Sequence, residues 1–476
     1  MRIILSLFLT CSLFGKLGSE EIDKPNVLLI AVDDLNDWIG CLEGHPQSFT
    51  PNIDRLADRG MLFSNAHCQG TMCNPSRISL LWGRRPTSTG FYDNHYSTSK
   101  EPEFLKQHVN LPTHFATNGY KTLSSGKIFH TGGYFQVQGP RAGQWRQGFD
   151  QKVHHKPKGW HRTWDFGPQD YDETKFTDHI TATWVADQLV KDFHKPFFMA
   201  CGFYRPHVPF FPPRRVYESF KDVELPEVIE DDWDDIPDAA RKVSMSNPKI
   251  PVHEWMKLKN RWQLAVHAYL ASVRWTDEQI GRVLDALNQG PHAQNTIVVL
   301  FSDHGYHLGE KQRWSKFSLW ERTTRVPLII SVPNGTKGRS EKPVELLSIY
   351  PTLIDLCELS KNPKLEGVSL QLLLKNPEAK WNHVAVSTLG QNNHAVRDRR
   401  WRYIRYADGS EELYDHQNDS NEWENLAKGK VDSIHQKVIN RLKDTYPKAM
   451  PHNVEFNFYF SHHSITLFKQ NKYDTK

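Results

Sequence analysis

The sequence predicts an α/β fold, a sheet of buried strands sandwiched by helices and followed by a smaller α+β part. Three observations carry this. Asn26–Val32 and Thr296–Phe301 are almost wholly apolar, as strands buried on both faces of a parallel sheet are. Residues 262–288 repeat Val273, Ile280, Leu284 and Leu287 at helical spacing, stop at Gly290-Pro291 and run straight into the second of those strands. Such helix-to-strand alternation is typical of α/β chains. Past about residue 375 the character changes. Trp401–Tyr406 reads as an antiparallel strand, Asp408-Gly409 as a hairpin turn and Glu412-Leu413-Tyr414 as the return. Val431, Ile434, Val438 and Leu442 then mark one amphipathic helix.

At 476 residues the chain can bury a large core and divide into two or three domains. Its net charge of +4 is dispersed and gives no basis for a nucleic-acid or general polyanion role. Met1-Arg2, the apolar run Ile3–Phe14 and Gly15–Ser19 read as a secretory leader over residues 1–19. The run is too short to span a bilayer. Cys11 lies inside it, after Phe8-Leu9-Thr10, which makes a poor lipidation site. A secreted or periplasmic protein without stable membrane insertion is the expectation. Cys41, Cys68, Cys201 and Cys357 are scattered, as free buried thiols would be, and do not form a disulfide framework.

Taken in order, the first buried strand ends in Asp33-Asp34 and the later one in Ser302-Asp303-His304-Gly305. Ligands of open α/β sheets bind outside the carboxyl ends of the strands. Three carboxylates and an imidazole gathered at one edge need a cation among them, and an oxygen-rich set favours Ca²⁺ or Mg²⁺. Either pair alone could equally cap a helix or turn. Ser125-Gly126-Lys127-Ile128-Phe129-His130, taken alone, is a solvated stretch. Lys195–Ala200 reads as another buried strand running into Tyr204-Arg205-Pro206-His207-Val208-Pro209, whose prolines fix an extended loop. A structural histidine would suit that loop, and Lys316 in Trp314-Ser315-Lys316 is by default a surface lysine. Residues 131–180, with Trp145, His154, His155, Trp160, His161 and Trp164, are a loop over a site mouth or a solvated insertion. Residues 226–251, with Asp231-Asp232-Trp233-Asp234-Asp235, read as an exposed acidic loop. Leu346–Leu356 is an apolar, largely helical segment with Pro351 near its start.

The chemistry centres on Cys73-Asn74-Pro75-Ser76-Arg77-Ile78-Ser79-Leu80-Leu81-Trp82-Gly83. Pro75 suits the first position of a helix. Free N–H groups at a helix N-terminus favour an anion and lower the pKa of a nearby thiol. Arg77 adds a forked donor suited to sulfate or phosphate oxygens. A structural Cys ahead of a helix is the plain alternative. The spacing Cys-x-Pro-Ser-Arg-x-x-x-Leu-x-Gly, however, resembles the signature of the type I sulfatases, with Trp82 where most members have Thr or Ser. Gly83-Arg84-Arg85-Pro86 and Tyr92-Asp93 are most similar to the iduronate-2-sulfatase branch, and the resemblance runs from about Pro25 to about Leu426.

That resemblance implies an alkaline-phosphatase-like mixed sheet sandwiched by helices in a catalytic domain over 23–375, with a smaller α+β subdomain over 376–476. It implies that a formylglycine-generating enzyme converts Cys73 to formylglycine, whose hydrate is the nucleophile. It further implies Ca²⁺ held by Asp33, Asp34, Asp303, His304 and residue 73, and sulfate contacts from Arg77, Lys127 and Lys316. His130 would assist at the formylglycine, and His207 would be the acid toward the leaving oxygen. The expected function is an exported sulfatase acting on a sulfated polysaccharide or its oligosaccharides. Its rivals are a phosphonate or phosphodiester hydrolase on the same scaffold, and a catalytically dead sugar-binding homologue in which Cys73 stays a thiol. The full charged set argues against the last, since a binding module needs neither a metal nor acid–base groups.

Overall fold

The strand Asn26–Val32 is buried at every residue because both of its faces are covered. Val27, Leu29 and Ala31 enter one apolar cluster and Leu28, Ile30 and Val32 the other, as the two-residue period of a strand dictates. The computed structural model describes residues 24–94, 103–130, 133–140, 164–247 and 250–447. In it this strand lies inside an eight-stranded sheet, paired in parallel with Phe197–Phe203 on one side and Thr296–Ser302 on the other. Lys121–Gly126 continues the parallel run beyond Phe197–Phe203. Leu328–Ser331 pairs antiparallel with Thr296–Ser302, which makes the sheet mixed. One face is covered by Pro51–Arg59, Thr177–Leu189 and the long helix Arg261–Gln289. The other is covered by Cys73–Trp82, Leu111–Thr117 and Ile349–Leu356. Among the described residues no helix is long and apolar enough to cross a membrane.

The C-terminal part is a four-stranded antiparallel sheet of Ala385–Thr388, His394–Arg397, Trp401–Arg405 and Glu411–Asp415. The expected turn is there, with Gly409 at φ +90°, a conformation that suits glycine. The following helix, Ser433–Lys443, keeps most of the expected stripe, with Leu442 in the core and Val431 and Val438 packed against it, but Ile434 points away. Asp432 caps it by accepting from the N–H groups of Ile434 and His435. Ile439 and Leu442 are buried and Ile434 is 69% exposed.

Two further expectations fail for physical reasons. The acidic stretch is anchored: Asp232 is buried and accepts from Lys311 Nζ at 2.6 Å, and Lys311 also donates to the Glu422 carbonyl. A carboxylate can be buried when such a cation meets it. Trp164 belongs to the core, edge-on against Phe210 and Trp314. Trp145, His154, His155, Trp160 and His161 lie outside the described residues, as do residues 1–19 and the aromatic tail 455–467. Cys68, Cys201 and Cys357 are buried free thiols, and Cys41 is a partly buried one.

Lys311 thus ties the acidic loop to the C-terminal part. Lys311→Ala strands Asp232 as a buried, unpaired carboxylate and should lower stability by about 3 kcal/mol. Urea denaturation reads this, and an unchanged midpoint would show that the pair contributes nothing net.

Candidate active site

Because four neighbouring strands run the same way, their carboxyl ends meet at one edge. Asp33-Asp34 follow Asn26–Val32, and Lys127 to His130 follow Lys121–Gly126. The His207 loop follows Phe197–Phe203, and Asp303-His304 follow Thr296–Ser302. Consecutive residues of an extended chain point to opposite sides. Asp34 escapes this by taking φ +62°, and its carbonyl is held there by the Tyr269 hydroxyl at 2.9 Å. Carboxylate oxygens of Asp33 and Asp34 accordingly reach one cluster with Cys73 and His207, and a second grouping joins Asp33, Cys73, Asp303 and His304. Lys316 is turned inward between Ser315 and Phe317, at φ +72° and +74°.

Cys73 opens the helix Cys73–Trp82, two residues earlier than the Pro75 start that the sequence suggested. Pro75 is still harmless, because the first helical bond is donated by the Ser76 N–H to the Met72 carbonyl. The helix end is only partly free: the Asn74 N–H is taken by the Asn94 side chain at 2.9 Å. What acts on the sulfur is side-chain charge. Lys316 Nζ stands 3.0 Å from Cys73 Sγ and His304 Nε2 3.3 Å from it. Burial alone would raise this thiol, but Lys127, Lys316, His304 and a hydrogen bond from His130 hold it well below its ordinary value. The sulfur lies on the floor of the site, with Cys73 only 1% exposed.

Arg77 is spread over the whole edge. Its Nε donates to Asp303 at 2.8 Å and Nη2 to Asp33 at 3.2 Å, while Nη1 donates to the carbonyls of Lys127 and Ile128 at 2.7 and 2.9 Å. Most of its donors are therefore spent inside the protein. Lys127 is paired with the other Asp33 oxygen, and Lys316 donates to Asp34 Oδ1 at 2.6 Å. Three cations thus face three buried carboxylates. Burial and the Cys73 charge push Asp33 up, but Lys127, His207 and Arg77 prevail and hold it below the usual carboxylate range.

The donor set suits a divalent metal. Asp34 Oδ2 is buried without a hydrogen-bond partner. His304 Nδ1 is 3.0 Å from the Gly305 carbonyl, which fixes the ring with Nε2 facing Asp34 Oδ1 at 3.3 Å. Burial opposes charge on this ring, yet Asp303, Cys73 and Asp34 lift it to about 9, so a metal at Nε2 must displace a proton.

Sequence reasoning missed what aims His207. Asp178, buried at the start of Thr177–Leu189, accepts from the Tyr204 and Arg205 N–H groups at 2.7 and 2.9 Å. Thr276 of the long helix donates to the Arg205 carbonyl at 2.9 Å. These bonds pin the loop, leaving the His207 side chain 21% exposed with Nε2 3.9 Å from Asp34 Oδ2. No local pattern marks Asp178, which reads as an ordinary acid in a helix's first turn. Trp82, the one departure in the motif, packs edge-on against Phe129 at 5.8 Å and Tyr134 at 5.3 Å. It supports the segment that carries His130.

A model of the sulfatase family matches residues 25–359 of this chain. The chain belongs to the sulfatase family. It is a sulfuric ester hydrolase by that membership. A second model, described as the C-terminal part of N-sulphoglucosamine sulphohydrolase, matches residues 309–448 of this sulfatase. It is 39% identical over 440 residues to a sulfatase of Formosa agariphila, covering 87% of this chain and 86% of that protein. It is 33% identical over 414 residues to the iduronate 2-sulfatase of Homo sapiens, covering 73% and 72%. The fold is that of a protein solved in complex with its substrate D-glucosamine-2-N,6-O-disulfate, at TM-score 0.73 and 23% identity over 89% of this chain and 97% of that one. The phosphonate monoester hydrolase of Agrobacterium radiobacter also shares it, at TM-score 0.73 and 20% identity over 88% and 94%.

Purified sulfatase should carry about one divalent ion per chain, and Asp303→Ala should lose most of it, as read by elemental analysis. Equal metal content in wild type and variant would remove Asp303 from the ligand set.

Proposed function

We propose that this protein is an exported, formylglycine- and Ca²⁺-dependent sulfatase that removes sulfate from a sulfated polysaccharide or its oligosaccharides. The observation that carries the reading is the convergence of three carboxylates, three cations and three histidines on the single atom Cys73 Sγ in a chain of this family. Relatives named iduronate 2-sulfatase, Δ4,5-hexuronate-2-O-sulfatase and ulvan-active sulfatase support a sugar sulfate as substrate. The leader read at residues 1–19 supports export, and maturation calls for a formylglycine-generating enzyme.

Cys73 Sγ marks where the hydroxyls of the hydrated aldehyde would stand, one of them supplying the nucleophile and the other expelling the sulfate. Asp33, Asp34, Asp303 and His304 would hold Ca²⁺, which lends positive charge to the sulfate oxygens. With three carboxylates already matched by Arg77, Lys127 and Lys316, an added divalent ion leaves the floor net positive, as a sulfate ester anion requires. Lys316 and Lys127 would meet the sulfate, and Arg77 would mainly hold the carboxylates and the Lys127 backbone in register. His130 takes the proton at residue 73. His207 stands at the exposed side, its Nδ1 2.6 Å from the Val208 carbonyl, and offers Nε2–H to the departing sugar oxygen.

Peptide mass spectrometry of active material from a host with the maturation enzyme should find residue 73 as the aldehyde. Full activity with thiol alone would sink the mechanism, and faster turnover of phosphonate than sulfate esters would move the assignment to that chemistry. His207→Ala should slow release of a sugar alkoxide by about 10²–10⁴-fold and leave nitrophenyl sulfate much less affected, since a nitrophenolate hardly needs the proton. Equal kcat losses on the two substrates would make His207 a packing residue.

A further inference from the structure

Most deeply buried cations among the described residues come with anions. Arg77 meets Asp33 and Asp303, Arg402 meets Glu321 and Glu422, and Lys311 meets Asp232. Arg313 does not follow this pattern. It is 5% exposed, and both its Nε and its Nη2 are buried without any hydrogen-bond partner. Among the described residues no carboxylate pairs with it, and burial pulls the guanidinium down to about 9. A charge left unpaired in a protein interior is strongly unfavourable. Among the described residues nothing supplies its counter-anion, which leaves room for one from a ligand.

The position of Arg313 says where that anion belongs. It precedes the strand Trp314–Ser315 and stands three residues before Lys316, whose Nζ touches Cys73 Sγ. The buried Tyr306 hydroxyl is within electrostatic reach of Arg313, Lys316 and Asp34 alike, which brings Arg313 near the same edge. Trp314 packs edge-on against Trp164, whose indole N–H is a second buried donor with no acceptor. A guanidinium fork matches the paired oxygens of a carboxylate or a sulfate.

We propose that Arg313 receives a second anionic group of the substrate, a carboxylate or a further sulfate, carried by the sugar whose sulfate ester reacts at residue 73. This rests on the sulfated-sugar reading and narrows it to doubly anionic sugars, with Arg313 as a specificity-determining residue.

The test is kcat/KM of matured wild type, Arg313→Gln and Arg313→Lys on two matched pairs. One pair is a 2-O-sulfated uronic acid glycoside and its carboxamide, which keeps only the sulfate charge, and the other a disulfated hexose and its monosulfated counterpart. Wild type should prefer the doubly charged member of at least one pair, and which pair it is separates carboxylate from sulfate. Arg313→Gln should reduce that preference by about 10- to 100-fold, whatever it does to the singly charged substrate. Arg313→Lys should keep part of it, since charge remains but the fork is lost. Absence of any charge preference in wild type overturns the proposal without a variant, and so does an equal loss on both members of each pair. Failure of wild type on every sulfated sugar would overturn the underlying reading along with it, and that outcome is visible separately.

Discussion

The Arg77 guanidinium is the interaction on which the site depends. It sits 1% exposed and bonds to two carboxylates and two backbone carbonyls from three different strand ends. A planar group that is always charged and offers donors in fixed directions suits this task better than a flexible ammonium. Its helix partner Ser76 donates to the Asp303 carbonyl, so the segment that carries Cys73 is fastened to the same strand end. Removing Arg77 would leave Asp33 and Asp303 buried with less compensation and would release the Lys127 backbone. Its burden is thus architectural before it is catalytic.

The electrostatics of the edge follow from that arrangement. Like charges so close in a dry interior are tolerated only when matched, and Arg77, Lys127 and Lys316 do the matching within the chain. Lys127 and Lys316 also hold the Cys73 thiol below its ordinary value, so the same positive charge acts on the position of residue 73. Left-handed backbone at Asp34, Ser315 and Phe317 places strain at the points where side chains must turn inward.

The C-terminal sheet contributes to this site without entering it. The Thr388 N–H donates to the Gln69 carbonyl at 2.9 Å, and Ser387 donates to the Cys68 carbonyl. Met72, the residue before Cys73, packs in one cluster with Leu319, Trp320, Ile404, Tyr406 and Tyr414. The segment leading into Cys73 is therefore supported from behind by the smaller sheet. The smaller unit works as a buttress for the position of Cys73.

By itself the sequence determined the α/β class, the two central strands, the long helix, the C-terminal hairpin and the identity of the residues around Cys73. Those are properties of local pattern: an apolar run, a 3.6-residue period, an Asp-Gly turn and a spaced motif. Tertiary structure alone decided the rest. Asp178 became the anchor of the His207 loop because its helix lies beneath that loop, a relation between residues 26 positions apart that no period records. Asp232 left the surface because Lys311, 79 positions away, reaches it, although a run of acids reads as solvated. On Ser433–Lys443 Ile439 took the buried place expected of Ile434, because packing against the sheet selects the face. Arg313 was one more basic residue in the chain until folding buried it without a carboxylate partner among the described residues. Whether a charge is paired depends on neighbours distant in sequence, and a linear pattern cannot state that.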